Sequence, residues 1–330
     1  MRAVVTGAAG FVGSHLSERL VRDGHHVVGI DALTDYYDVR RKEANLAAVH
    51  ATAAESGGTF RFHAEDLNSA PLKERLDCAD CVFHLAGQPG VRRSWGSDFT
   101  VYTRANIDAT QALLEAAREV PTLRKLVYAS SSSVYGDSQA YPTTETLRPQ
   151  PVSPYGVTKL AGEHLCELYR RAFGLPTASL RFFTVYGPRQ RPDMAFRRLV
   201  MAAVRGTGFQ LFGDGEQTRD FTYVADVVEA LIGAAVAEFT GVANIGGAHR
   251  VSMNQVLRVL AAVGAPVIPV PGPRQPGDVH DTGADITVAR EGFGYAPKVS
   301  LREGLAAMVA EERRLAALEA LEAAAEPVAR

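Results

Sequence analysis

Short apolar runs alternate with amphipathic stretches along the first half of the chain. Ala3-Val-Val5, His26-Val-Val-Gly-Ile30, Phe60-Arg-Phe62, Cys81-Val-Phe83, Lys125-Leu-Val-Tyr128 and Ala178-Ser-Leu-Arg-Phe182 are short and rich in β-branched and aromatic residues, so they read as strands. Helical spacing of apolar positions predicts helices near 11–23, 37–54, 98–119 and 154–173 between them. Strand–helix alternation calls for a parallel sheet covered on both faces by right-handed crossovers. The expected class is therefore α/β, a Rossmann-type doubly wound parallel sheet.

The texture changes after about residue 185. Gly and Pro cluster at 187–192, 206–215 and 264–277, with shorter elements between them. We expect residues 1–185 to form the sheet domain and 186–330 a smaller C-terminal substrate lobe, the chain returning to the sheet at about 220–246 through a helix near 225–236 and a strand near Ala243-Asn-Ile245. The stretch beyond Leu301, rich in Ala, Glu and Arg, reads as helix. Composition then removes other classes. The chain has 330 residues, 46% of them hydrophobic, and a formal net charge of −2. That suits a soluble globular protein, with no basic excess for nucleic acid and no apolar run to span a membrane. Cys78, Cys81 and Cys166 leave an odd count, and Cys78-Ala-Asp-Cys81 lacks a second pair or neighbouring histidines, so no metal site is expected. A reducing, cytoplasmic setting fits.

Two patterns carry chemistry. Gly7-Ala-Ala-Gly10-Phe-Val-Gly13 follows the first strand and opens a helix, where glycines permit close backbone approach and free N–H groups face a pyrophosphate. Asp31 ends the second strand, where a carboxylate accepts bonds from an adenosine ribose and repels a 2′-phosphate, which favours NAD over NADP. Asp66-Leu67 follows the third strand, placed for the adenine, and Leu85-Ala-Gly-Gln88 follows the fourth, along the cofactor phosphates and ribose. The second pattern is Tyr155-Gly-Val-Thr-Lys159, which opens a helix after Ser153-Pro154. Positions i and i+4 share a helix face, and a nearby ammonium lowers a phenol pKa toward a usable base.

These residues, with His84-Leu-Ala-Gly87 and Ser130-Ser-Ser-Ser-Val-Tyr-Gly136, resemble the extended short-chain dehydrogenases/reductases, in the subgroup of nucleotide-sugar epimerases and dehydratases. Asp35-Tyr-Tyr-Asp-Val-Arg40, Gly90-Val-Arg92, Arg181-Phe-Phe-Thr-Val-Tyr-Gly187, Arg191-Pro-Asp-Met194 and Gln275-Pro-Gly-Asp-Val279 look closer still to UDP-glucuronate 4-epimerases. The resemblance implies NAD as cofactor, with Phe11, Val12, Asn106 and Phe182 joining the glycines, Asp31, Asp66, Leu67 and the 85–88 loop around it. It implies that Tyr155 takes the proton of a sugar 4-hydroxyl, that Lys159 binds the nicotinamide ribose, and that Ser131 bonds the 4-oxygen in a transient 4-keto sugar. For the substrate it implies a carboxylate held by Arg191 with Thr184 and Ser132, and it places Ser133 and Arg92 at the substrate too. The UDP would be held by Phe212, Arg219, Gln275 and Asp278, although packing in the core is an equal reading of Phe212. A homodimer through helices near 98–119 and 154–173 is implied, and Ala109, Leu113, Leu114, Leu160, His164 and Leu168 would allow it, though they could equally pack on their own sheet.

Oxidation at C4 is common to several reactions. Related dehydratases and UDP-glucuronate decarboxylases carry an acid where this chain has Ser133, preceded by Ser132. That absence speaks against dehydration, which needs an acid and base near C5 and C6. It speaks less against decarboxylation, because a 4-keto glucuronate is a β-keto acid. The alternatives to epimerisation of UDP-glucuronate are thus its decarboxylation, 4-epimerisation of UDP-glucose or UDP-galactose, and, in another class, a dinucleotide-binding sensor without chemistry.

Overall fold

The computed structural model describes residues 1–137, 141–273 and 281–325, with the backbone alone for 322–325. Six strands of the first half form as the pattern predicts: β1 (Arg2–Thr6), β2 (His26–Asp31), β3 (Thr59–Ala64), β4 (Cys81–His84), β5 (Lys125–Ser131) and β6 (Thr177–Phe182). With Gly241–Ile245 they make a seven-stranded sheet in the order Gly241–Ile245, β6, β5, β4, β1, β2, β3, every pair parallel. The order reverses between β1 and β4, the switch point at which such sheets bind ligands outside their carboxyl ends.

Helices cover both faces. Leu16, Leu20, Val227 and Leu231 belong to one core layer, and Leu76, Leu113, Leu114 and Cys166 to the other. His84 is buried between Thr6 and Thr110, to whose hydroxyls its two ring nitrogens bond at 2.8 and 2.9 Å. Burial lowers its pKa to about 3, so it is a neutral pin between sheet and helix. The helix expected over 98–119 runs from Phe99 to Ala117 but widens into a π turn at Arg104–Asp108. Ala109, Leu113 and Leu114 are spent on the sheet core, so they offer nothing to a partner subunit. Leu160 packs against the opposite core layer, whereas His164 and Leu168 are exposed.

The second half builds its own cluster. Helices Ala195–Arg205, Met253–Ala262 and Leu301–Ala325 enclose Phe196, Leu199, Phe209, Leu260 and Met308. Three two-stranded ladders border it, including Gly208–Phe212 parallel to Ile268–Gly272. Arg197, 1% exposed, pairs with Glu312 at 2.5 Å and with Glu311 at 3.6 Å, tying the long final helix to this cluster. Among the described residues no helix is long and apolar enough to cross a membrane.

Candidate active site

The carboxyl ends of β1, β2, β4, β5 and β6 bring the predicted residues together. At β1 the chain turns through Gly7, whose φ of +72° is left-handed and whose Cβ position lies only 2.8 Å from the Ala86 backbone nitrogen. The helix Phe11–Arg22 follows at once, with no side chain capping its first turn and no acid in it. Its leading N–H groups are thus left to an anion. Phe11 is buried and Val12 packs on the core beside it. Asp31 is fixed by the amides of Ala9 at 3.2 Å and Leu33 at 2.9 Å. Beside it stands Lys42, buried, 3.9 Å away and bonded to the Thr34 carbonyl at 2.8 Å. Sequence reasoning missed Lys42, because nothing in its helix spacing announces that it folds back on β2.

Asp66 is engaged locally, by Asn68 at 2.9 Å and by Arg104 at 3.0 Å, while Leu67 is buried beneath it. The 85–88 loop is held from the π turn. Buried Asn106 accepts from Gln88 N at 2.6 Å and donates to Gln88 O at 3.1 Å and to Thr158 at 2.9 Å. One side chain therefore locks this loop to the Tyr155 helix, and π turns inside helices recur at such sites. Leu85 and Ala86 are partly buried, and the Gly87 Cβ position lies 2.8 Å from Asn106 Oδ1, so the backbone passes close.

The helix Pro154–Phe173 starts where a Ser-Pro pair should start one. Ser153 caps it by accepting from Gly156 N at 3.2 Å, and Pro154 occupies the first turn. Gly156 lets that turn lie against the serine loop, since its Cβ position is 2.5 Å from the Ser133 carbonyl. The Tyr155 phenol thereby comes beside the Ser131 hydroxyl, which accepts from Ser133 N at 3.2 Å. Lys159, buried, donates to the Ala129 carbonyl at 2.8 Å and lies 5.0 Å from the Tyr128 ring centroid. Burial drops its pKa to about 8.

The expectation that Lys159 lowers the Tyr155 pKa needs correction. Burial raises the phenol above its usual value, and the opposing effects come from the Ser131 hydrogen bond and the charge of Arg191. Lys159 is turned toward β5 instead. Behind the serine loop a buried network sets it in place: Ser130 bonds Glu163, and Glu163 takes Arg181 in a bidentate pair at 2.9 and 2.7 Å.

Arg191 comes to the same phenol from the second half of the chain. It is paired bidentately with Asp193, both bonds 3.0 Å, and its guanidinium lies 5.9 Å from the Tyr36 ring. Its loop is anchored by Arg189, in left-handed conformation at φ +63°. The Arg189 amide donates to Glu311 at 2.9 and 3.0 Å and its guanidinium bonds Glu18 at 2.6 Å. Phe182 ends β6 and Thr184 follows it, and both are partly buried. Ser132 and Ser133 lie in the single turn after β5. Phe212 is partly buried beneath the Arg92 guanidinium, 5.9 Å away, so a ring from the second half of the chain meets a cation from the first. Arg219 bonds the Thr218 carbonyl at 3.0 Å. Gln275 and Asp278 lie outside the described residues. Tyr36 and Asp193 were overlooked as site residues, although both sit inside stretches that carried the family resemblance.

A Rossmann sheet, a glycine turn and a serine and tyrosine brought together beside a buried lysine define a dinucleotide-dependent enzyme of the short-chain type. The sequence profile of the NAD dependent epimerase/dehydratase family matches residues 3–246, and the chain belongs to that family. Within it, the chain is similar to an uncharacterised UDP-glucose epimerase of Bacillus subtilis, 43% identical over 92% of this chain and 96% of that one. It is also similar to a UDP-glucuronate 4-epimerase of Thermodesulfobacterium geofontis, 35% identical over 92% of this chain and 93% of the relative. Among solved structures, UDP-glucuronic acid 4-epimerase of Bacillus cereus, in complex with UDP-glucuronic acid and NAD, superposes with a TM-score of 0.89. It is 42% identical, and the match covers 96% of this chain and all of that one.

Proposed function

We propose that this protein interconverts UDP-glucuronate and UDP-galacturonate by NAD-dependent epimerisation at C4. The observation that carries the reading is the convergence on one phenol: Ser131 and the charge of Arg191 both act on Tyr155 to oppose the effect of its burial. A redox residue and a carboxylate-binding fork thus serve the same sugar. The similarity to the Bacillus cereus enzyme, known with both ligands, supports it.

The residues present fit NAD. The Gly7–Gly13 turn is a cradle that side chains would fill, and Asp31 with Lys42 is placed for an adenosine ribose. Asp66 and Leu67 would border the adenine, and the 85–88 loop, Asn106 and Phe182 the rest of the dinucleotide. When bound, NAD supplies a reversible acceptor for the C4 hydride. Tyr155 removes and returns the proton of the 4-hydroxyl, Ser131 bonds the same oxygen, and Lys159 binds ribose and holds positive charge below its pKa of about 8. Arg191, Thr184, Ser132 and Ser133 hold the sugar carboxylate so that its bond to C5 stays out of line with the keto group, which suppresses loss of carbon dioxide. Arg92, Phe212 and Arg219, with Gln275 and Asp278, hold the UDP while the keto sugar turns over. In this reading residues 1–185 and the return at 220–246 bind the cofactor, and 186–330 the sugar nucleotide.

The assembly we infer is a cytoplasmic homodimer in which the two helices at 99–117 and 154–173 meet their copies. Its apolar contacts are Val101, Val157 and Leu168, which are exposed, rather than the core residues Ala109, Leu113 and Leu114.

Incubation with UDP-glucuronate, followed by mass spectrometry and NMR, tests the reaction. Epimerisation gives an isobaric product with the galacto configuration. A pentose product of lower mass would replace this reading by decarboxylation. Epimerisation of UDP-glucose is the second reading, and one observation favours it: Arg191 has a carboxylate partner of its own, so a neutral sugar need not leave it unpaired.

A further inference from the structure

The partner of Arg191 has the chemistry of the ligand assigned to that arginine. Asp193 is a carboxylate gripped through Nε and Nη2 at 3.0 Å each, as a sugar carboxylate would be gripped. The grip forms across a tight turn in which Met194 N donates to the Arg191 carbonyl at 3.2 Å. The two partners differ in exposure. The Arg191 side chain is 18% exposed and faces the Tyr36 ring and the Tyr155 phenol, whereas Asp193 is 41% exposed at the rim.

We propose that Asp193 is a built-in stand-in for the sugar carboxylate, which holds the Arg191 fork when the sugar carries no acid and yields it when UDP-glucuronate enters. The inference rests on the UDP-sugar reading of this site. An ion pair with one rim partner is weak, because water solvates the released carboxylate nearly as well. The guanidinium, 18% exposed, is solvated less well than Asp193 and gains more from keeping a partner. Two effects of opposite sign follow. The acidic sugar must displace Asp193, which takes away part of its affinity. The neutral sugar finds Arg191 already neutralised and suffers no orphaned cation. Asp193 therefore narrows the discrimination between acidic and neutral UDP-sugars, a role no local salt bridge would have.

Calorimetric titration of the NAD-loaded protein tests this, on a Tyr155→Phe background that stops turnover, with and without Asp193→Asn. UDP-glucuronate, UDP-glucose and UDP are the three ligands. Asp193→Asn should tighten UDP-glucuronate and weaken UDP-glucose, each by about three- to fivefold, as expected for one partly exposed ion pair. UDP should be unaffected. Equal shifts for both sugars, no shift, or weaker binding of UDP-glucuronate would overturn the proposal and make Asp193 a support for the loop. If the protein without the Asp193 change binds UDP-glucuronate no better than UDP, the substrate reading falls as well, a result separable from the others because it does not involve the Asp193 variant.

Discussion

Burial works on both members of the Tyr155–Lys159 pair, in the directions that disfavour charge: the phenol is raised and the ammonium lowered to about 8. Lys159 has a stability consequence. Its folded pKa lies below the ordinary lysine value, so the unfolded chain binds the proton more tightly between about pH 8 and 10.5. Across that window the lysine's penalty on folding fades as pH rises, and below it the penalty is constant. Lys159→Met should therefore stabilise the cofactor-free protein at pH 7, by on the order of 3 kcal/mol less the lost Ala129 hydrogen bond. Urea melts of the two proteins should converge as pH approaches 10.5. A gap that stays constant with pH would refute the assignment. Arg191→Ala should lower kcat/KM for UDP-glucuronate by about a hundredfold, the scale of a charge-assisted bidentate pair, and UDP-glucose turnover by less than tenfold. Pentose product should also appear, because the carboxylate is no longer held. Tyr155, Lys159 and Ser131 were readable because each sits at a fixed offset in a regular element or just beyond a strand. Asp193, Tyr36 and Lys42 were not, since their partners depend on how loops turn and not on spacing along the chain.

The elements supporting the serine loop form a denser polar unit than the hydrophobic pattern suggests. Glu163, from the helix Pro154–Phe173, accepts from Ser130 on β5 and Arg181 on β6, so three elements meet at one buried carboxylate. Arg181 also lies 4.6 Å from the Tyr135 ring centroid, and Tyr135 donates to Asn244 at 2.7 Å. Glu163→Gln leaves the buried guanidinium without its counter-charge and should cost about 3 kcal/mol or more in urea unfolding. Replacing both partners together, as Glu163→Leu with Arg181→Met, should cost less than the single change. If the double variant is the less stable, the pair is contributing more than mutual neutralisation. Strand positions were legible here because a doubly covered sheet demands continuous apolar runs. The π turn at 104–108 was invisible, because one widened turn hardly alters helical periodicity, yet it is what points Asn106 at the 85–88 loop.

For the molecule as a whole, the seven strands of the main sheet were legible, six from the first-half alternation and the last from the run Ala243-Asn-Ile245. The pairings within the second half were not foreseen: Gly208–Phe212 finds Ile268–Gly272 across two helices and four short strands, a contact that no local pattern encodes. The proposed dimer belongs to this scale. Leu168 is 57% exposed on a helix whose opposite side packs on the sheet. Leu168→Glu should convert the dimer to monomer in sedimentation velocity without changing the melting of the sheet core. A dimer unaffected by this change would place the interface elsewhere.

The grip of Glu311 on the Arg189 amide joins positions 122 residues apart. It has a consequence for how the protein comes into being on the ribosome. A nascent chain can hold the glycine turn, Tyr155, Lys159 and Ser131 while everything beyond β6 is still untranslated. The loop that carries Arg191 can reach Glu18 early through Arg189, but its second anchor waits for residue 311 to emerge. During synthesis the residues proposed to oxidise the sugar can be in place first, and the loop proposed to select it gains its last anchor only when the long final helix docks.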